Sequence, residues 1–121
     1  MNDIFNVIRK SISEILDIEV DKIVPKSNLV QDLGAESIDL LELAVSIASL
    51  FKIEVIDNDI FLKSLHTHIE NAHEKNLSPA EILKEKYPFL HRTRITEILE
   101  SFGNTHVLEV KDIVSYVEFY T

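Results

Sequence analysis

The most apolar part of the chain includes residues 37–51, which read SIDLLELAVSIASLF. On a helix at about 100° per residue, their apolar side chains cover more than twice the roughly 100° arc that faces a protein core. Asp39, Glu42, Ser46 and Ser49 share the remaining arc. Two interpretations stay open. Either the helix is buried on all sides, or one apolar stripe packs the core while Ile38, Leu41 and Val45 contact a partner protein.

Acidic and hydroxyl side chains lie beside this second stripe. Glu36, Asp39 and Glu42 carry negative charge, which would attract and orient a basic partner. Ser37 begins the helix, where a serine is normally a helix cap. The free N–H groups and the positive end of the helix dipole also suit a phosphate ester on its hydroxyl. None of the histidines has a spacing that identifies it as a general base for Ser37. Any reaction at this hydroxyl is therefore expected to be catalysed by a separate enzyme.

Helical periodicity continues on both sides of this segment. Gly34 is expected to allow a sharp turn before Ser37, and Ser78-Pro79-Ala80-Glu81 is a strong helix start. Further helices are predicted at residues 2–17, 57–74, 79–87, 93–102 and 109–119, with Gly103 ending the fourth of these. With two glycines, three prolines and no confident strand in 121 residues, the chain is predicted to be a single all-α domain of five or six helices.

Charge and composition narrow the function. The chain has 12 basic and 21 acidic residues, a net charge of −9, which disfavours nucleic acid and favours basic partners. It has no cysteine, and its most apolar segment is too short to span a membrane, so a soluble cytoplasmic monomer is expected. No metal site is expected from His66, His68 and His73, interpreted as surface residues. Lys84, Lys86, Arg92 and Arg94 are interpreted as a solvated basic face.

Residues 32–43, DLGAESIDLLEL, resemble the signature of the acyl carrier protein family. The resemblance extends to the first helix, the long loop after it and the closing segment LEVKDIVSYV at residues 108–117. It covers residues 1–57 and 107–121. It therefore implies an acyl-carrier-like bundle, built on the family's four helices, with a helical insertion at residues 58–106.

The family resemblance implies a carrier rather than an enzyme. Ser37 would accept 4′-phosphopantetheine from coenzyme A through a phosphopantetheinyl transferase, and the thiol of this group would hold an acyl group as a thioester. The acids Glu36, Asp39 and Glu42 would meet basic patches on acyl-transferring or acyl-synthesising enzymes. The apolar contacts around them would be Ile38, Leu41 and Val45. Leu43, Ile47 and residues of the last helix would line an acyl pocket.

Two departures from the family pattern bear on the pathway. Ala48 and Ser49 stand where many fatty-acid carriers are acidic, which favours a specialised lipid or secondary-metabolite pathway over housekeeping fatty acid biosynthesis. The insertion either thickens the core, or covers the acyl chain and is recognised by a dedicated enzyme. The alternatives are an aminoacyl or peptidyl carrier and an unmodified carrier-like adaptor. A serine hydrolase is poorly supported because no serine–histidine pair can be identified.

Overall fold

A computed structural model describes residues 2–101 and 107–121. Within these ranges the chain forms seven α-helices, one 3₁₀ turn at Val20–Lys22 and no β-strand. The helices are α1 (Asn2–Leu16), α2 (Ser37–Phe51), α3 (Asp57–Ile60), α4 (Leu65–Glu74), α5 (Pro79–Lys86), α6 (Arg92–Glu100) and α7 (Val110–Tyr120). The all-α fold class is confirmed.

The predicted helices are all present, but one of them is divided. The stretch expected to run over residues 57–74 forms α3 and α4, because a turn interrupts it and Leu62 takes a positive φ of 54°. This turn raises the number of helices to seven. Ser78 caps α5 as predicted, its side chain accepting a hydrogen bond from the Glu81 N–H at 3.4 Å. The proposed helix end at Gly103, and Phe102 before it, lie outside the described residues.

The first helix holds the carrier-like part of the chain together. It packs against both α2 and α7, with Ile8 and Ile12 fully buried. The facing side of α2 contributes Leu43 and Ile47, which are also buried. This two-sided packing follows from the apolar stripe of α1, since residues three and four apart share one helix face.

The inserted segment, residues 58–106, packs on the same core as the rest of the chain. In its described part, α4 packs on α5 and α5 on α6. Its buried apolar side chains join those of α1, α2 and α7 in one cluster. Phe89 lies edge-on to Tyr116 of α7, with 5.1 Å between ring centres. The described part of the insertion, residues 58–101, is thus part of the packed core.

One of the three histidines predicted to lie on the surface is half-buried. His68 stacks edge-on against buried Tyr87 at 5.7 Å, whereas His66 and His73 are exposed. Burial lowers the pKa of His68 and raises the pKa of Tyr87 to about 12. Both shifts have the same cause, because a low-dielectric environment disfavours the charged form of each group.

The predicted solvated basic face is wrong for two of its four members. Lys84 donates hydrogen bonds to the backbone carbonyls of Pro88 and Leu90 at 3.1 and 2.8 Å. Arg94 lies in a buried ion pair with Asp112. Only Lys86 and Arg92 are exposed. The pattern of charges does not reveal this, because a basic residue on a short amphipathic helix looks the same whether or not a partner faces it.

The Arg94 side chain joins α6 to α7. Its Nε donates to Oδ1 of Asp112 at 2.7 Å, and its Nη2 donates to Oδ2 of Asp112 at 2.9 Å and to the Val107 carbonyl at 2.7 Å. Asp112 Oδ2 also accepts the N–H of Glu109 at 3.0 Å, which caps α7. Burial opposes the charge on Arg94, but Asp112 and Glu109 outweigh it and raise its pKa. One cation thus fixes the insertion to the start of the last helix.

Candidate functional site

A compact hydrogen-bonded turn leads into α2. Asn28 accepts hydrogen bonds from the N–H groups of Val30 and Gln31 at 3.0 and 2.9 Å, while Asp32 accepts from the Asn28 N–H at 2.8 Å. Gly34 then takes a φ of +72°, a left-handed conformation that suits glycine because it has no Cβ. The expected sharp turn at Gly34 is confirmed. Asp32 of the signature therefore has a structural role that sequence reasoning missed.

The segment that follows the insertion anchors this turn. Leu29 donates its N–H to the Leu108 carbonyl at 3.0 Å, and Val110 donates to Ser27 at 3.0 Å. An isolated antiparallel bridge pairs Asn28 with Glu109. The position of the N-terminus of α2 consequently depends on backbone contacts with residues about 80 positions away.

Ser37 is the first residue of α2, but it is not the helix cap. The N-cap is Glu36, which forms a capping box with Asp39. The Asp39 carboxylate accepts the Glu36 N–H at 2.8 Å. The interpretation of Ser37 as a cap is therefore wrong, and its side chain is exposed. Its hydroxyl is available for another use.

The exposed face of α2 is apolar along its length. Ile38, Leu41 and Val45 are 69%, 55% and 64% exposed, while Leu43 and Ile47 on the opposite side are buried. The interpretation of α2 as a helix buried on all sides is therefore wrong. An apolar stripe left in water on one helix is typical of a contact surface for another protein.

The three acids near this stripe differ in what they can do. Glu36 and Glu42 are exposed. Asp39 is half-buried, and its Oδ2 already accepts the Glu36 amide. Glu36 and Glu42 can therefore present their charges to a partner more freely than Asp39.

Two cavities of very different volume lie beside α2. The cavity that Leu43 borders, between α1 and α2, has a volume of only about 10 Å³, roughly the minimum needed for one water. An open groove of about 200 Å³ lies on another side of α2, between Leu40 and the inserted segment. The larger space beside α2 is therefore the groove at Leu40 rather than the cavity at Leu43.

In the described parts of the chain, no group of three or more histidine, aspartate or glutamate side chains is placed to hold a metal ion. Across residues 2–101 and 107–121, no helix is long and apolar enough to cross a membrane.

Comparison with known proteins identifies the class to which this helical bundle belongs. The family described as "Phosphopantetheine attachment site" matches residues 6–69, just over half of the chain. The acyl carrier protein of Buchnera aphidicola subsp. Schizaphis graminum is 38% identical over 77 residues, covering 63% of this chain and 98% of the relative. That of Campylobacter hominis is 32% identical over 76 residues, covering 60% and 96%. No solved structure matches.

The chain belongs to the acyl carrier protein family. It is a carrier and not a catalyst, and its cofactor is covalently attached 4′-phosphopantetheine. The residues present fit such a group. The exposed hydroxyl of Ser37 stands in the first turn of α2, where backbone N–H groups and the helix dipole favour a phosphate.

Proposed function

We propose that Ser37 carries the 4′-phosphopantetheine group and that the protein presents acyl groups on it to partner enzymes. The exposed Ser37 hydroxyl at the start of α2 carries this proposal, because Glu36 and Asp39 already cap the helix. The transferase would join the Ser37 oxygen to the pantetheine-bound phosphate of coenzyme A. The bond between the two phosphates of the diphosphate would break, adenosine 3′,5′-bisphosphate would leave, and the serine proton would pass to solvent. When attached, the group supplies a thiol that holds an acyl chain as a thioester.

The exposed stripe of α2 is proposed as the surface that partners recognise. Ile38, Leu41 and Val45 would supply apolar contact area, and Glu36 and Glu42 would steer a basic patch towards it. Asp39 would contribute through the oxygen that the capping bond leaves free. These partners are the phosphopantetheinyl transferase and enzymes that transfer or synthesise acyl groups.

The later part of α2 supports a specialised pathway. Ser49 is exposed and Ala48 is half-buried, so neither continues the acidic side that Glu36 and Glu42 begin. We propose that the chain, as one domain, serves modified-lipid or secondary-metabolite assembly. The mass of the group on the thiol in native cells would distinguish acyl cargo from aminoacyl or peptidyl cargo.

Loading of the purified chain tests the attachment site. After incubation with coenzyme A and a broad-specificity phosphopantetheinyl transferase, we expect the intact mass to increase by one phosphopantetheinyl group. Peptide mapping should place that group on Ser37. An unchanged mass would contradict the proposal and favour the unmodified adaptor, and a group on another residue would contradict the choice of Ser37.

Charge reversal on α2 tests the docking surface. Glu42→Lys should lower the kcat/KM of loading roughly tenfold, because a like charge then faces the basic patch of the transferase. The melting temperature should change little, since Glu42 is exposed. Glu70→Lys makes the same charge change at an exposed position of α4 and is the matched control. Equal loading kinetics of the two variants would contradict docking at α2.

A further inference from the structure

The groove between α2 and the inserted segment is built largely by residues that the insertion supplies. Five of its nine lining residues come from residues 61–66, the turn after α3 and the start of α4. They are Phe61, Leu62, Lys63, Leu65 and His66, and the other walls are Val30, Leu40, Val107 and Leu108. Its volume of about 200 Å³ exceeds the roughly 150 Å³ cavity that accommodates benzene in another protein.

The groove begins one helical turn from the proposed attachment point. Leu40 follows Ser37 by three residues on α2, and side chains at this spacing lie about 5–6 Å apart on one face. A flexible arm on Ser37 can therefore fold along α2 and bring its far end into the groove. The acyl group carried on that arm is therefore the occupant that we assign to the groove.

The described lining of the groove contains basic side chains but no acidic one, although the protein as a whole is acidic. The chain has 21 acidic side chains, yet among the described residues no carboxylate lines this groove. Its ionisable lining residues are Lys63 and His66. The Lys63 ammonium lies 3.9 Å from Asp57 Oδ2, with both side chains partly exposed. Because an ammonium has three donors, Lys63 can bind a second anion while it keeps this contact.

We propose that Lys63 makes this groove selective for carried acyl groups that end in a carboxylate. This inference rests on the proposed attachment at Ser37. The apolar walls, Leu40, Phe61 and Leu65 among them, would contact the methylene carbons. Lys63 would bind the terminal carboxylate. The insertion would then define which acyl groups the carrier shelters.

A matched pair of cargoes tests this selection. Succinyl- and butyryl-phosphopantetheine both have four acyl carbons, and only the succinyl group ends in a carboxylate. Each is loaded onto the full chain from the corresponding coenzyme A thioester, and the loading is verified by intact mass. We expect the succinyl form to melt about 2 °C above the butyryl form, the size expected of one partly exposed ion pair. Amide NMR shifts at Leu40, Lys63 and His66 should differ between the two forms.

Variants separate the role of Lys63 from general charge effects. Lys63→Gln should abolish the difference in melting temperature between succinyl and butyryl forms. Lys75→Gln, which also removes an exposed lysine of the insertion, should preserve it. Equal melting temperatures of the two loaded wild-type forms, or a difference that survives Lys63→Gln, would overturn the inference while attachment at Ser37 still stood. A chain that takes up neither group would instead overturn the proposed function.

Discussion

Replacing Ser37 by alanine should abolish loading with 4′-phosphopantetheine while leaving the fold nearly as stable as before. The hydroxyl is the only group that the substitution removes, and without it no phosphate ester can form at this position. Stability should change by less than about 0.5 kcal/mol, because Ser37 is exposed and Glu36 caps the helix. If Ser37 were the cap, its loss would cost about 1 kcal/mol. Intact mass measures the loading, and denaturant unfolding measures the stability.

Ser49→Ala is the matched control, because Ser49 is an exposed serine near the other end of the same helix. This variant should load at the wild-type rate. An adduct that persists on Ser37→Ala would contradict the assignment. Lost loading together with a large loss of stability would contradict the structural basis of the prediction, in which Ser37 is free of any capping role.

Replacing Arg94 by alanine should destabilise the protein by about 3 kcal/mol or more, since it leaves a buried carboxylate without its cation. The Arg94 side chain is 10% exposed and that of Asp112 only 1%. Arg94 also donates to the Val107 carbonyl at 2.7 Å, so this part-buried acceptor loses its donor as well. The corresponding fall in melting temperature is roughly 10 °C. Thermal and denaturant unfolding measure both quantities.

Arg92→Ala provides the comparison on the same helix. The side chain of Arg92 is 71% exposed, and it lies 3.5 Å from a similarly exposed Glu81 carboxylate. Exposed pairs of this kind contribute roughly 0–1 kcal/mol, so this variant should unfold nearly as the wild type does. Arg94→Ala behaving like Arg92→Ala would show that the link between α6 and α7 adds little to stability.

Local sequence signals were enough to predict the family and every helix except the division between α3 and α4. Period-3.6 apolar patterns located α1, α2 and α7, and the Ser-Pro start located α5, because these signals are local. The twelve residues around Ser37 were enough to recognise an acyl carrier protein. They could not show which of two apolar stripes on α2 faces water, since both satisfy the same periodicity.

The tertiary structure decided the features that depend on partners distant in sequence. Ser37 does not cap α2, because Glu36 and Asp39 are hydrogen-bonded to one another. Arg94 can be buried because Asp112, 18 residues later, faces it. The groove beside Leu40 exists only where residues 61–66 come to lie against α2. A sequence records each side chain's chemistry and its near neighbours. Whether a side chain is buried or paired depends on which distant side chains lie against it. Only the tertiary packing determines those neighbours.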